Sequence, residues 1–118
     1  MPETITIYHN PGCGTSRKVL GMLRDAGHAP KVVEYLKTPP STTEMRDLLK
    51  KLGLTPREIL RRRGTPYGEL GLDDPSKSDD ALLDALRAHP ILMERPVVVT
   101  SKGAAVCRPV DRVLDLLP

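Results

Sequence analysis

The stretch His9-Asn10-Pro11-Gly12-Cys13-Gly14-Thr15-Ser16 sets a single thiol among small and polar residues. A strand is predicted before it and a helix after it, which places Cys13 at a helix N-terminus. Unpaired N–H groups and the positive end of the helix dipole stabilise a thiolate there. A cysteine so placed can fall well below its free pKa of about 8.5. Gly12 and Gly14 let the backbone approach an anion closely, and Thr15 and Ser16 add hydroxyl donors. The same N–H groups would receive an oxyanion. His9, if protonated, adds a positive charge near the sulfur. A free cysteine is often just a small buried hydrophobe. The Gly-rich polar loop argues against that use here, and a reactive thiol is expected.

The neighbours narrow the chemistry. A dithiol motif, C-x-x-C, would need a second cysteine where Ser16 stands. The partner thiol must come from Cys107 or from a small molecule such as glutathione. A phosphatase-type loop, C-x5-R, would need arginine where Val19 stands, and Arg17 falls too early to replace it. The three histidines and two cysteines show no metal spacing such as C-x-x-C or H-E-x-x-H, so no metal is expected. Cys107 ends a predicted strand and reads as a buried strand cysteine. His28 follows a helix stop and His89 precedes a proline, so both read as solvent-facing or capping residues.

The elements that must carry this loop are legible. Thr4-Ile5-Thr6-Ile7-Tyr8 alternates with period two, the mark of a strand. Val19, Leu20, Met22, Leu23 and Ala26 recur at helical spacing, and Gly27 is a natural stop. Lys31 to Leu36 reads as a second strand. This βαβ order favours a parallel pair with a right-handed crossover. Ser41-Thr42-Thr43-Glu44 and Thr55-Pro56-Arg57-Glu58 are both capping-box starts. The first opens a helix with Met45, Leu48, Leu49 and Leu52 on one face. The second is short and runs into Arg61-Arg62-Arg63 and Gly64. Residues 65–75 are loop-like. Ser78-Asp79-Asp80 caps a helix with Leu82, Leu83 and Leu86 inward, ended by His89-Pro90. Residues 97–100 and 104–107 form a predicted hairpin. Pro109 opens a last predicted helix with Val110, Val113, Leu114 and Leu117 as its apolar stripe. The order predicts an α/β, thioredoxin-like fold, with helices inserted between βαβ and ββα parts, as one domain over residues 1–118.

Composition sets outer limits. Eighteen basic against fifteen acidic residues give a net charge of +3 in a chain of 118 residues. The charges are interspersed, and there is no Phe or Trp. Nucleic-acid binders concentrate basic charge and often interleave aromatics, so no nucleic-acid partner is expected. No apolar run approaches the roughly 18 residues of a membrane span, and no export signal is visible, so a cytoplasmic location without membrane attachment is expected. The run Arg61-Arg62-Arg63 reads first as a solvated helix end, and the sequence does not choose among its members. Arg95 and Arg108 each precede a proline and are restrained towards extended backbone. Surface charge is the ordinary reading of both.

The segments "HNPGCGTSR", "HPILMERPVVVT" and "CRPVDRVLDLLP" resemble the glutaredoxin-linked arsenate reductases of the ArsC type, and "YLKTPPS" and "TPYGELGL" extend the likeness over nearly the whole chain. The resemblance implies a thioredoxin-like fold with a helical insertion. It implies reduction of arsenate to arsenite, with glutathione as co-substrate, glutaredoxin as partner and no bound cofactor. By motif, Cys13 is the catalytic residue, supported by His9, Gly14, Thr15 and Ser16. Arg61, Arg95 and Arg108 bind the oxyanion, and His9 is the loop histidine that lowers the thiol pKa. Pro96 would be cis and face the cysteine loop. Two other functions share the fold. One is a glutathione-dependent thiol or disulfide reductase, which would be expected to lose some of these arginines. The other is a redox-sensing regulator of the Spx type, whose usual C-x-x-C switch Ser16 interrupts.

Overall fold

The computed structural model describes residues 4–117 and divides into two compact units. One combines the N-terminal 38 residues with the chain from Arg95 onward, and the other spans Pro39–Glu94.

The first unit holds a four-stranded sheet, made of β1 (Thr6–Tyr8), β2 (Lys31–Val33), β3 (Val97–Thr100) and β4 (Gly103–Val106) in the order β2-β1-β3-β4. β1 and β2 run parallel, joined across helix α1 (Gly14–Asp25), and the other pairs are antiparallel. This is the βαβ-plus-hairpin sheet of a thioredoxin-like fold. β1 is shorter than the expected Thr4–Tyr8, yet Ile7 within it and Ile5 just before it both enter the core, where α1 contributes Val19, Leu20 and Leu23. Val98, Cys107, Val113 and Leu116 close that core. Truncating one fully buried leucine such as Leu23 to alanine would cost about 2–5 kcal/mol.

Three expectations shift in this unit. The second strand stops at Val33 rather than Leu36: after His9 N–H bonds to the Val33 carbonyl at 2.8 Å, the chain turns, with Lys37 and Thr38 N–H both bonding to Glu34 O. Cys107 lies one residue past β4, its N–H on the Pro96 carbonyl at 2.9 Å. The last helix is 3₁₀, over Val110–Leu116, and not α-helical. A three-residue period puts Val110, Val113 and Leu116 on one side. Val113 and Leu116 are buried, while Leu114, assigned to the stripe on a 3.6-residue period, is 55 % exposed. The Thr100 hydroxyl secures this segment by donating to Leu116 O at 2.7 Å. The Arg95–Pro96 peptide is cis, as the resemblance implies, and so is Arg108–Pro109, which no feature of the sequence marked.

The second unit is helical: α2 (Thr42–Leu52), α3 (Pro56–Ile59) and α4 (Asp79–Ala88), followed by a 3₁₀ turn at Pro90–Leu92. Both capping boxes form, from Ser41 with Glu44 and from Thr55 with Glu58. Each satisfies orphan N–H groups of a first turn. Gly53 ends α2 at φ 68°, a left-handed position that suits glycine. Met45, Leu48, Leu49, Leu82, Leu83 and Leu86 are buried. The loop at 65–75 is pinned by Arg57, which donates to Leu72 O at 2.7 Å and Asp74 O at 3.0 Å. At the end of α3, buried Leu60 pairs with buried Met93 as an antiparallel bridge. Among the described residues no helix is long and apolar enough to cross a membrane.

Candidate active site

The register of the sheet brings three chain segments to one end of it. Tyr8 pairs with Val97, and Val97 pairs with Val106. The loop after β1, the residues before β3 and the residues after β4 therefore emerge together. They carry Cys13, Arg95 and Arg108.

The loop is built around Asn10, a residue that sequence reasoning passed over. Its side-chain Oδ1 accepts the Gly12 N–H at 2.9 Å, and its carbonyl accepts the Cys13 N–H at 3.0 Å. This Asx turn delivers Cys13 in extended backbone as the N-cap of α1. A Cβ on residue 12 would stand 3.3 Å from Asn10 Oδ1, which favours glycine there. At Gly14 a Cβ would make only ordinary contact, 3.7 Å from an Arg17 nitrogen. Arg17 donates to the Pro11 carbonyl at 2.8 Å and clamps the loop from outside. The N-P-G triplet was the available signal for the turn.

Cys13 is half-buried and unpaired. Burial pushes its thiol up, but the Ser16 N–H, the guanidiniums of Arg95 and Arg108, and the Thr15 N–H together bring it from 9.0 down to about 7. A large share of the sulfur is therefore thiolate near neutral pH. Arg108 Nη1 lies 3.8 Å from Sγ and also donates to the Arg95 carbonyl at 3.2 Å, which ties the two arginine segments together. Nε and Nη1 of Arg95 are buried with no hydrogen-bond partner among the described residues. Cationic donors left in that state are costly unless an acceptor arrives.

His9 does not sit on the sulfur. Its buried ring places Nδ1 2.7 Å from the Ser16 hydroxyl, which also accepts the Asn10 N–H at 3.1 Å. Burial holds the His9 pKa below its ordinary value of 6.5, with Glu34 opposing the shift and Arg24 and Arg17 adding to it. A neutral ring is the form favoured near pH 7. The ring contacts the side chain of Ser16, whose backbone N–H faces the sulfur.

Arg61 belongs to the helical unit, and the structure separates the three arginines that the sequence left equivalent. Arg61 Nη1 stands 3.6 Å from Glu94, and its Nε donates to the Arg63 carbonyl at 3.0 Å. Arg62 lies over the Tyr67 ring at 5.1 Å. Arg63 is exposed. Cys107 is fully buried, and burial pushes its thiol up to about 11 against a small opposing effect of Arg112. Among the described residues no cluster of three or more His, Cys, Asp or Glu could hold a metal.

The chain is similar to known proteins in both sequence and fold. A sequence model of the ArsC family matches residues 8–116. The arsenate reductase of Rhizobium meliloti strain 1021 is 57 % identical over 115 residues, covering 98 % of this chain and 82 % of that protein. The arsenate reductase of Neisseria meningitidis strain Z2491 is 47 % identical over 118 residues, with 99 % and 100 % covered. A solved structure of the arsenate reductase from Vibrio cholerae superposes with a TM-score of 0.94 at 43 % identity, over 99 % of this chain and 100 % of that one. A model match over most of the chain, joined by relatives of this similarity, leaves one conclusion: the chain belongs to the ArsC family.

Proposed function

We propose that this protein reduces arsenate to arsenite, with Cys13 as the nucleophile and glutathione and glutaredoxin as the source of electrons. The observation that carries the reading is the Cys13 thiol, at about 7 and contacted by Arg95 and Arg108. The relatives' names supply the substrate.

Arsenate is a tetrahedral oxyanion, and a thiolate attacking it brings negative charge to negative charge. Forked guanidiniums can neutralise the oxyanion and hold it. They also stabilise charge that builds on its oxygens as the new bond forms. Arg95, two of whose nitrogens have no hydrogen-bond partner among the described residues, and Arg108 supply such donors beside the sulfur. Arg61 is assigned the third oxyanion contact by its motif. The N–H groups of Thr15 and Ser16 face the same atom from the start of α1.

In the proposed sequence the Cys13 thiolate forms an S–As bond and one arsenate oxygen leaves, protonated, as water. Glutathione then forms a second S–As bond by displacing another arsenic oxygen, which takes the thiol proton and leaves as water. A glutaredoxin thiolate then attacks the glutathione sulfur and forms a mixed disulfide. The electron pair of the broken S–As bond passes to arsenic and takes it from the +5 to the +3 state. Water cleaves the remaining S–As bond, arsenite departs and the Cys13 thiolate is restored. Two thiols are oxidised for each arsenic reduced, so the chain needs no redox group of its own. A lone cysteine in the loop suits this scheme, because the buried Cys107 thiol is poorly placed to resolve the adduct.

The test is a coupled assay of NADPH oxidation with arsenate, glutathione, glutathione reductase and several glutaredoxins. Arsenate-dependent turnover is expected in the wild type and none in Cys13→Ser. Disulfide reduction without arsenate dependence would instead assign the protein to thiol–disulfide exchange.

A further inference from the structure

Glu94 is the last residue of the helical unit. Its contact with Arg61 has an unusual form. The two stand 3.6 Å apart, an ion pair beyond hydrogen-bond distance. Both side chains are largely covered, at 17 % and 27 % exposure. The Glu94 oxygen that faces Arg61, Oε2, is buried and has no hydrogen-bond partner among the described residues. A carboxylate oxygen kept in that state is costly, and packing alone would be served better by an uncharged side chain.

The backbone explains why these two meet. Arg61 N–H bonds to Leu92 O at 2.6 Å and Glu94 N–H bonds to Ile59 O at 2.9 Å, on either side of the Leu60–Met93 bridge. Side chains alternate along such a ladder. Alternation about the Leu60–Met93 pair puts Arg61 and Glu94 on the same side, where they stand 3.6 Å apart. Neither Arg62 nor Arg63 has an acidic partner among the described residues. The only side-chain hydrogen bond of Arg61 there uses Nε, so Nη1, which faces Glu94, and Nη2 make no hydrogen bond among the described residues.

We propose that Glu94 is a positioning residue for Arg61: its carboxylate orients the guanidinium by charge, without using the donors that a tetrahedral oxyanion would take. This rests on the assignment of Arg61 to oxyanion binding. A hydrogen-bonded, bidentate carboxylate would compete with the ligand. A carboxylate at 3.6 Å restrains the arginine by charge and leaves its Nη atoms without a hydrogen bond among the described residues.

The experiment follows protection of Cys13 from iodoacetamide by arsenate, which reads anion binding independently of turnover. Wild type, Glu94→Gln, Arg61→Ala and the double variant are compared, with circular dichroism to show that each is folded. Glu94→Gln is expected to raise the half-protecting arsenate concentration about fivefold, the scale of a partly covered ion pair. In the Arg61→Ala background the same change should have no effect. The apparent pKa of Cys13 should not move, because Glu94 acts through Arg61. Glu94→Asp, which keeps the charge and shortens the reach, should fall between wild type and Glu94→Gln, and it serves in place of Glu94→Gln should that variant fail to fold. An unchanged or tighter half-protection in Glu94→Gln overturns the proposal, as does an equal effect in both backgrounds. Arsenate protection as expected, without arsenate turnover, would sink the proposed reaction and leave the role of Glu94 standing.

Discussion

The two cysteines of this chain belong to the same compact unit and differ in almost everything that governs a thiol. Cys13 ends a polar turn, half-exposed, facing N–H groups and guanidiniums, and titrates at about 7. Cys107 packs among Ile5, Leu23, Val98 and Val113, and titrates at about 11. Both feel burial as an upward push. The outcome turns on whether hydrogen-bond donors and positive charge outweigh it. At Cys107 the weak influence of Arg112 does not.

The largest way to break this contrast is alkylation with iodoacetamide across a pH range. A thiol reacts as thiolate, so the rate rises with pH through the pKa. Cys13 should reach half its limiting rate near pH 7, while at that pH only about one Cys107 in ten thousand is ionised. Labelling should therefore favour Cys13 by at least a thousandfold, read by peptide mass mapping. Comparable labelling of both, or a Cys13 midpoint at or above 9, would end the idea of a loop that activates its thiol. Next in size is Arg108→Ala. It removes a donor to the sulfur and to the Arg95 carbonyl, so the Cys13 midpoint should move up from about 7 towards its ordinary value. Arsenate turnover should fall about a hundredfold in kcat/KM. Near-normal kinetics would remove Arg108 from the site. The smallest effect is expected at Cys107. Cys107→Ala should leave turnover intact and lower unfolding stability by about 1–2 kcal/mol in a urea titration, the cost of a small cavity.

The sequence was most informative where structure is local. The turn and helix start around Cys13, the capping boxes at Ser41 and Thr55, and the first strand around Ile7 each depend on residues within a few positions of one another, and each formed, the strand over Thr6–Tyr8 only. Contributions from distant segments were hidden. The pairing of Arg61 with Glu94 depends on the Leu60–Met93 bridge, which joins positions far apart in the chain. The ring of His9 looked like a charge for the sulfur until its burial beside Ser16 was seen. The C-terminal segment fits a helix of either period over one or two turns. Packing of Val113 and Leu116 against the sheet selects the tighter one, and exposed Leu114 records the difference.

Val97 faces Val106 across a hairpin whose two-residue link is Ser101-Lys102, between Thr100 and Gly103. That link acts as a ruler. Adding one residue to it and re-pairing the strands would flip every later side chain to the opposite face and slide Arg108 along the sheet by about 3.3 Å. A guanidinium displaced by that much no longer reaches the sulfur. Loops usually absorb insertions easily, yet one that shifted this register, at an exposed tip distant from the thiol in sequence, would be enough to disarm it.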